Sequence, residues 1–289
     1  MDEYLRREPS SLSNHLVDKV VVVTGAANGF GKLVCARAAQ LGARVVATDI
    51  NAEDLQAGVA ELNAADGQAM AVHTDVTELA QMQAMVAEVV AKFGRVDVMI
   101  NNAGTMPLAF YADHAEAAAA WDRCIDINFK GVLHGIVAVH DQMLQQGRGH
   151  IVNLSSIYGN FPVVGAAVYG ATKAAVNFLS ESLRMESQGK IKVTTIKPTG
   201  VPNTGLAGGI VNAEAIVGIL GVHAASYGQL MQAHQSGELP AEYTDAQHIE
   251  YYALEPEHLA EQIIYAINQP WGVSISEVTV RASGDGYIL

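Results

Sequence analysis

Only two cysteines, Cys35 and Cys124, occur among the 289 residues. They lie far apart and form neither a CxxC pair nor a zinc-type spacing, which argues against a disulfide scaffold and a structural zinc site. Both read as small buried residues of a reduced, cytoplasmic protein. Basic residues are scarce too: 17 Lys and Arg stand against 30 Asp and Glu, a net charge of −13. A surface this acidic repels phosphate backbones and anionic lipid, so nucleic acid and membrane surfaces are poor partners. No apolar stretch reaches the roughly 20 residues that a membrane-spanning helix needs. Residues 1–18, with Arg6, Arg7 and Glu8, hold no apolar segment and do not read as a secretory signal. The ten histidines form no HExxH or comparable cluster, so no metal site is expected.

Apolar residues are abundant. They make up half of the chain, against 16% charged, enough for a substantial core. Short apolar, β-branched runs at 20–24, 44–48, 69–73, 96–101, 150–154, 192–196 and 277–280 alternate with longer Ala-rich segments such as 32–41, 79–93 and 169–187. Nearly continuous apolar runs suit parallel strands covered on both faces. The alternation predicts a single doubly wound Rossmann domain over 18–289: a seven-stranded, mostly parallel sheet with helices on both faces. Residues 1–17 read as a polar arm. One stretch breaks the rhythm, 205–252, which carries His223, His234 and His248 and reads as a substrate lid hinged at Gly205, Gly208 and Gly209.

Four segments at predicted strand ends carry binding chemistry. The first strand runs into Thr24-Gly25-Ala26-Ala27-Asn28-Gly29-Phe30-Gly31 and then a helix. A tight turn needs glycine, close approach of a pyrophosphate excludes side chains, and the helix N-terminus offers free N–H groups. Alone, such a turn is also an ordinary strand-to-helix connection. Asp49 ends the second strand, where a carboxylate can accept hydrogen bonds from ribose hydroxyls; an isolated Asp caps turns just as readily. Asp75-Val76 follows the third strand, at the expected adenine edge, and Asn101-Asn102-Ala103-Gly104 ends the fourth. All four lie where open α/β sheets bind ligands, at the carboxyl ends of strands.

A second group carries acid–base chemistry. Tyr169 and Lys173 are four residues apart on one predicted helix, so hydroxyl and ammonium can reach the same ligand. A phenol near its usual pKa of about 10 is a poor base at neutral pH, and a neighbouring ammonium favours the phenolate. Ser156, after the fifth strand, can hold a carbonyl oxygen. Asn128 lies inside a predicted helix, where Asn is unfavourable and a polar role is invited.

Taken together, TGAANGFG at 24–31, Asp49, Asp75, NNAG at 101–104, Asn128, IVNLSS at 151–156 and YGATK at 169–173 resemble the short-chain dehydrogenase/reductase family from Asp18 to Arg281. The resemblance implies a nicotinamide-dependent alcohol dehydrogenase or ketone reductase with an Asn128–Ser156–Tyr169–Lys173 tetrad. Tyr169 would be the general acid/base and Ser156 would bind the substrate oxygen. Lys173 would bind the nicotinamide ribose and lower the Tyr pKa, and Asn128 would hold a water in a proton relay. Cofactor contacts would come from Gly25, Asn28, Gly29, Phe30, Gly31, Asp49, Asp75, Val76, Asn102, Ala103, Gly104, Tyr169 and Lys173, with Val201 and Thr204 beside the nicotinamide. The usual Pro-Gly pair is here Pro198-Thr199-Gly200, and the double-glycine ending of many members is missing. Members usually pair the helices matching 115–145 and 169–187, which implies a homodimer or homotetramer.

Asp49, with uncharged Asn28, Ile50 and Asn51 around the same site, favours NAD: a 2′-phosphate beside the carboxylate would be repelled. Arg44 begins the second strand, too far away to serve. Met106, Pro107, Tyr158, Phe161 and the lid are expected to line an apolar pocket for a hydrophobic secondary alcohol or ketone. Two rival classes share the fold. An S-adenosylmethionine-dependent methyltransferase leaves Ser156, Tyr169 and Lys173 unexplained, and a non-catalytic dinucleotide sensor has no use for an acid/base.

Overall fold

The computed structural model describes residues 13–201 and 205–286. Seven strands, Val20–Thr24 (β1), Arg44–Asp49 (β2), Gln68–His73 (β3), Val98–Asn101 (β4), Gly149–Leu154 (β5), Ile191–Pro198 (β6) and Glu277–Val280 (β7), form one sheet in the order β3-β2-β1-β4-β5-β6-β7. Every pairing is parallel, so the expected mostly parallel sheet is wholly parallel among the described residues. β1 and β5 are buried along their whole length, as strands covered on both faces must be. The chain reverses its direction of winding between β1 and β4, which opens a crevice at their carboxyl ends.

Helices Gly29–Gln40 (α1), Ala52–Ala64 (α2), Leu79–Phe93 (α3), His114–Cys124 (α4), Gly131–Gln145 (α5) and Ala167–Glu186 (α6) supply the crossovers up to β6. Each face of the sheet has its own core. Val21, Val23, Val45 and Ile100 pack with α1 residues Val34 and Cys35 on one side. Val20, Val22, Met99 and Ile151 pack with Met82, Val86 and Val139 on the other. Alternation along β1 divides its valines between the two.

Two boundaries differ from the sequence pattern. β4 begins at Val98 rather than Val96, because the Val96 N–H donates to the Gln146 side chain (3.3 Å) instead of a ladder partner. The single helix expected over 115–145 is interrupted by a π turn, Ile125–Lys130. A π turn inserts one residue into the hydrogen-bond pattern and often marks a functional position; here it carries Asn128.

The segment from 205 is folded largely into helices: Ala215–Leu220 (α7), Ala224–Ser236 (α8) and Ala241–Thr244 (α9), before Pro256–Ile267 (α10) returns to the core. The end of the expected N-terminal arm packs onto its own domain. Leu16 is buried in the first core, and the His15 N–H donates to the Asn268 side chain at 2.7 Å. No helix among the described residues is long and apolar enough to cross a membrane.

Candidate active site

The crevice is a cleft of about 1100 Å³ bordered by the β1 turn, Asp49, Asp75, Val76, the 102–105 segment and the start of the 205–252 segment. Thr24 is the pin of its floor. Its hydroxyl accepts the N–H groups of Asn102 (3.0 Å) and Ala103 (3.1 Å). Asn102 returns the tie, donating its side-chain N–H to the carbonyls of Thr24 (2.8 Å) and Gly25 (3.0 Å). Asn102, expected as a cofactor contact, thus spends its side chain joining the β1 turn to the β4 turn. Gly25 has φ +65°, which only glycine adopts freely. A Cβ on Gly31 would lie 2.1 Å from the Gly25 carbonyl oxygen, so the turn closes only with glycine there.

Helix α1 then starts in the cleft without a side-chain cap: Asn28 is its N-cap residue but makes no capping hydrogen bond, and no acid occupies the first turn. Free N–H groups and partial positive charge therefore face the cleft, and this fits the pyrophosphate of a dinucleotide. Asp49 stands at the rim. One carboxylate oxygen accepts the Ala27 N–H at 3.0 Å and the other the Asn51 N–H at 2.9 Å. Each oxygen keeps a lone pair for a ribose hydroxyl. Asp75 is partly engaged, accepting from the Thr77 N–H (2.9 Å) and hydroxyl (2.8 Å). Arg44 is ion-paired to Asp18 at the far end of β2, and Lys32 to Glu61. Among the described cleft-lining residues the one cation is Arg123.

Asn128, Ser156, Tyr169 and Lys173 converge and are all buried. Tyr169 sits in the first turn of α6, and the Ser156 hydroxyl accepts the Tyr158 N–H at 3.2 Å. Burial pushes the Tyr169 phenol up to about 12, Ser156 works against this, and Cys124 adds to it. Lys173 lies one turn on, 5.7 Å from the centre of the Tyr169 ring, its ammonium donating to the Leu154 carbonyl at 2.8 Å. Burial brings it down to about 8, with Cys124 opposing. Desolvation is the largest influence on the phenol.

Asn128 grips a backbone. Its carbonyl oxygen accepts the Thr105 N–H and its amide donates to the Thr105 carbonyl, both at 2.9 Å. The side chain fixes the segment after Gly104 against α6, and Thr172 bonds it from the other side (3.3 Å). Thr24, Thr105, Thr172 and Ser155, whose hydroxyl donates to the Lys173 carbonyl at 3.0 Å, were not singled out in the sequence, although all four stand inside or beside its motifs. Thr24, Thr172 and Ser155 act hydroxyl to backbone and Thr105 through its backbone alone, roles that leave no spacing signature.

Family comparison decides the class. The short chain dehydrogenase model matches residues 19–215. The chain belongs to the short-chain dehydrogenase family. It is 34% identical over 266 residues to an uncharacterized oxidoreductase of Listeria monocytogenes, covering 91% of this chain and 96% of that one. Its fold matches a short-chain dehydrogenase/reductase of Burkholderia phymatum solved with NAD (TM-score 0.72, 28% identity, 92% and 90% of the two chains). It also matches the closed form of a serine dehydrogenase solved with NADP+ (TM-score 0.74, 29% identity, 93% and 96%). The protein is thus a short-chain oxidoreductase using a nicotinamide dinucleotide, and membership does not favour the methyltransferase reading.

On the substrate side of this dehydrogenase, Tyr158 and Tyr169 pack with Leu108, Ala215, Ile219 and Leu220 in one apolar cluster, with Met106, Ile210 and Tyr227 against it. Pro107 lines the cleft. Phe161, expected in the pocket, is instead exposed and stands outside that cluster. Val201 packs on Tyr251, Leu254 and Ala282. Thr204 lies outside the described residues. No cluster of three or more His, Cys, Asp or Glu able to hold a metal occurs among the described residues.

Proposed function

We propose that the protein is an NAD-dependent dehydrogenase that interconverts a hydrophobic secondary alcohol and its ketone, with Tyr169 as general acid/base. The observation that carries this is the burial of Ser156, Tyr169 and Lys173 together, with the Lys173 ammonium one helical turn from Tyr169 and 5.7 Å from its ring centre. In oxidation, the Ser156 hydroxyl orients the substrate oxygen and Tyr169 takes its proton; in reduction Tyr169 returns it. The bound nicotinamide supplies the hydride acceptor or donor. Gly25, Asn28, Gly29, Phe30, Gly31, Asp49, Asp75, Val76, Asn102, Ala103 and Gly104 hold the dinucleotide, joined by Lys173 at the ribose and by Val201 and Thr204. Asn128 acts by clamping Thr105, which sets the distance between the β4 turn and α6. The apolar cluster around Tyr169 supports a hydrophobic substrate. A panel of secondary alcohols and hydroxy acids, followed by reduced-cofactor absorbance, tests it: turnover confined to serine-like hydroxy acids overturns the substrate class, and none with any alcohol overturns the reaction.

The segment 205–252 acts as a lid. Ala215, Ile219 and Leu220 cover the tyrosines, so substrate enters only when they move. Protease cleavage within 205–252 is expected to slow when cofactor and alcohol are both present, and equal rates with and without them refute closure. The protein assembles as a homodimer or homotetramer through α5 and α6, which leave Val137, Phe178 and Met185 exposed. A monomeric mass in light scattering at micromolar concentration overturns that.

A further inference from the structure

The opposite edge of the sheet, where the strands begin, holds a second cavity. It measures about 170 Å³ and is bordered by Lys19, Arg148, Lys192 and Asp97, with Leu16, Ile267 and Trp271 as apolar walls. Ligand pockets for drug-sized molecules run to about 300–1,000 Å³, so this one takes only a small molecule.

Its charge runs against the rest of the chain. Acids outnumber bases 30 to 17 overall. Here three cations border one carboxylate, and that carboxylate is committed. One Asp97 oxygen accepts the Val20 N–H at 3.0 Å, and the other holds Arg95 at 2.5 Å and Lys19 at 3.9 Å. Lys19 is lowered by burial; Asp97 opposes this, and the nearby Arg148 and Arg95 charges add to it. Lys192 donates to the Val273 carbonyl at 2.9 Å and lies 5.4 Å from the Trp271 ring centre. It has no acid to pair with among the described residues. The Arg148 guanidinium has neither a hydrogen bond nor an ion pair among them. His150 adds no charge: burial holds it down to about 3, Lys192 contributes, and its Nε2 bonds the Thr194 hydroxyl at 2.8 Å.

Arg148 and Lys192 lack an ion pair among the described residues while Lys19 shares Asp97 with Arg95, so like charges repel here and an anion between them relieves this. We propose that this cavity binds a small organic carboxylate, its charged end between Arg148 and the two lysines and its apolar body against Ile267 and Trp271. The planar guanidinium suits a two-oxygen partner. The apolar walls speak against a bare, strongly hydrated inorganic ion.

The test is calorimetric titration of the full-length protein with benzoate, with neutral benzamide and with inorganic phosphate. Benzoate is expected to bind, and benzamide and phosphate at least about tenfold more weakly. Arg148→Gln is expected to weaken benzoate by about 10–100-fold and Arg148→Lys by less. Saturating benzoate raises the melting temperature of the wild type and not of Arg148→Gln. Tyr169→Phe leaves benzoate affinity unchanged, which separates this cavity from the catalytic cleft. Absence of heat up to about 10 mM benzoate, full affinity in Arg148→Gln, loss of affinity in Tyr169→Phe, or equal binding of benzamide overturns the proposal. Phosphate binding tighter than benzoate overturns the carboxylate class.

Discussion

The two halves of the carboxyl edge are built on different physics. The cofactor half, from β1 to β4, is an open cleft made of glycine turns and backbone groups, locked by Thr24 and Asn102. The substrate half is closed, and side-chain volume from α7 and neighbouring segments fills it. The first must match one invariant chemical object, a pyrophosphate with ribose, so its residue types are dictated by steric limits and free N–H groups. The second needs only an apolar surface of suitable shape, which many residue combinations provide. The tetrad lies on the seam between them, where β5 and α6 meet the lid.

The sharpest way to break this division is at the seam. Tyr169→Phe keeps the ring in its apolar cluster and removes the proton. Turnover is expected to fall by at least about 10²–10⁴-fold, with dinucleotide affinity preserved. Single-turnover hydride transfer and cofactor titration measure the two separately. Near-normal turnover would remove Tyr169 from the chemistry, and lost cofactor affinity would mean that the halves are not separable at this residue.

Next in size is a pH effect on stability from Lys173. Folded, this lysine releases its proton at about 8 instead of 10.5. Between those values the unfolded chain holds more protons, so stability rises as pH increases through the window; it is lost again as pH falls through about 8. The full effect is on the order of 3 kcal/mol. Tyr169 acts in the reverse sense only above pH 10. Urea midpoints of wild type minus Lys173→Met, compared at pH 7.5 and pH 10, read the lysine alone. A difference that does not change with pH would show that Lys173 is not desolvated.

A pair of glycine substitutions contrasts the two halves directly. Gly31→Ala places a methyl 2.1 Å from the Gly25 carbonyl, whereas Gly208→Ala at the start of the lid meets nothing within 4 Å. The first is expected to destabilise by about 1–3 kcal/mol and to impair dinucleotide binding. The second is expected to be neutral or to stabilise by up to about 1 kcal/mol through the unfolded state. Thermal unfolding with and without dinucleotide decides it. Similar costs at both positions would erase the contrast.

Legibility in the sequence follows the same division. Strand positions were readable because β1 and β5 are buried on both faces, and a run such as Val20–Val23 leaves little alternative. Ser156, Tyr169 and Lys173 stood out because Ser156 follows a strand end and the other two share a helix face one turn apart. The π turn at Ile125–Lys130 was not readable, since Asn128 alone announced a break without its form. Nor was Asn128's grip on Thr105 readable, because it depends on two segments brought together across 23 residues. Phe161 was misplaced for a related reason: an aromatic side chain five residues after Ser156 gives no sign of which way its loop turns.

The smallest effect expected is on cofactor choice, and it tests whether the cofactor half is as specific as its geometry suggests. Both oxygens of Asp49 are held by backbone N–H groups, so the carboxylate cannot swing away from a 2′-phosphate. Such a phosphate brings about two negative charges beside it, and repulsion at that range persists even when partly screened. Two cations on the flanking elements are committed elsewhere, Arg44 to Asp18 and Lys32 to Glu61. With NAD the same oxygens accept the ribose hydroxyls, so one residue both attracts and rejects. The wild type is expected to favour NAD over NADP in kcat/KM by at least about tenfold, roughly 1.4 kcal/mol in transition-state binding. Asp49→Ala is expected to shrink the preference chiefly by improving NADP. It also frees the Ala27 N–H, so some loss with NAD accompanies the change. Equal use of both dinucleotides by the wild type would mean that Asp49 only braces the turn, and that this half of the cleft recognises the pyrophosphate and not the ribose.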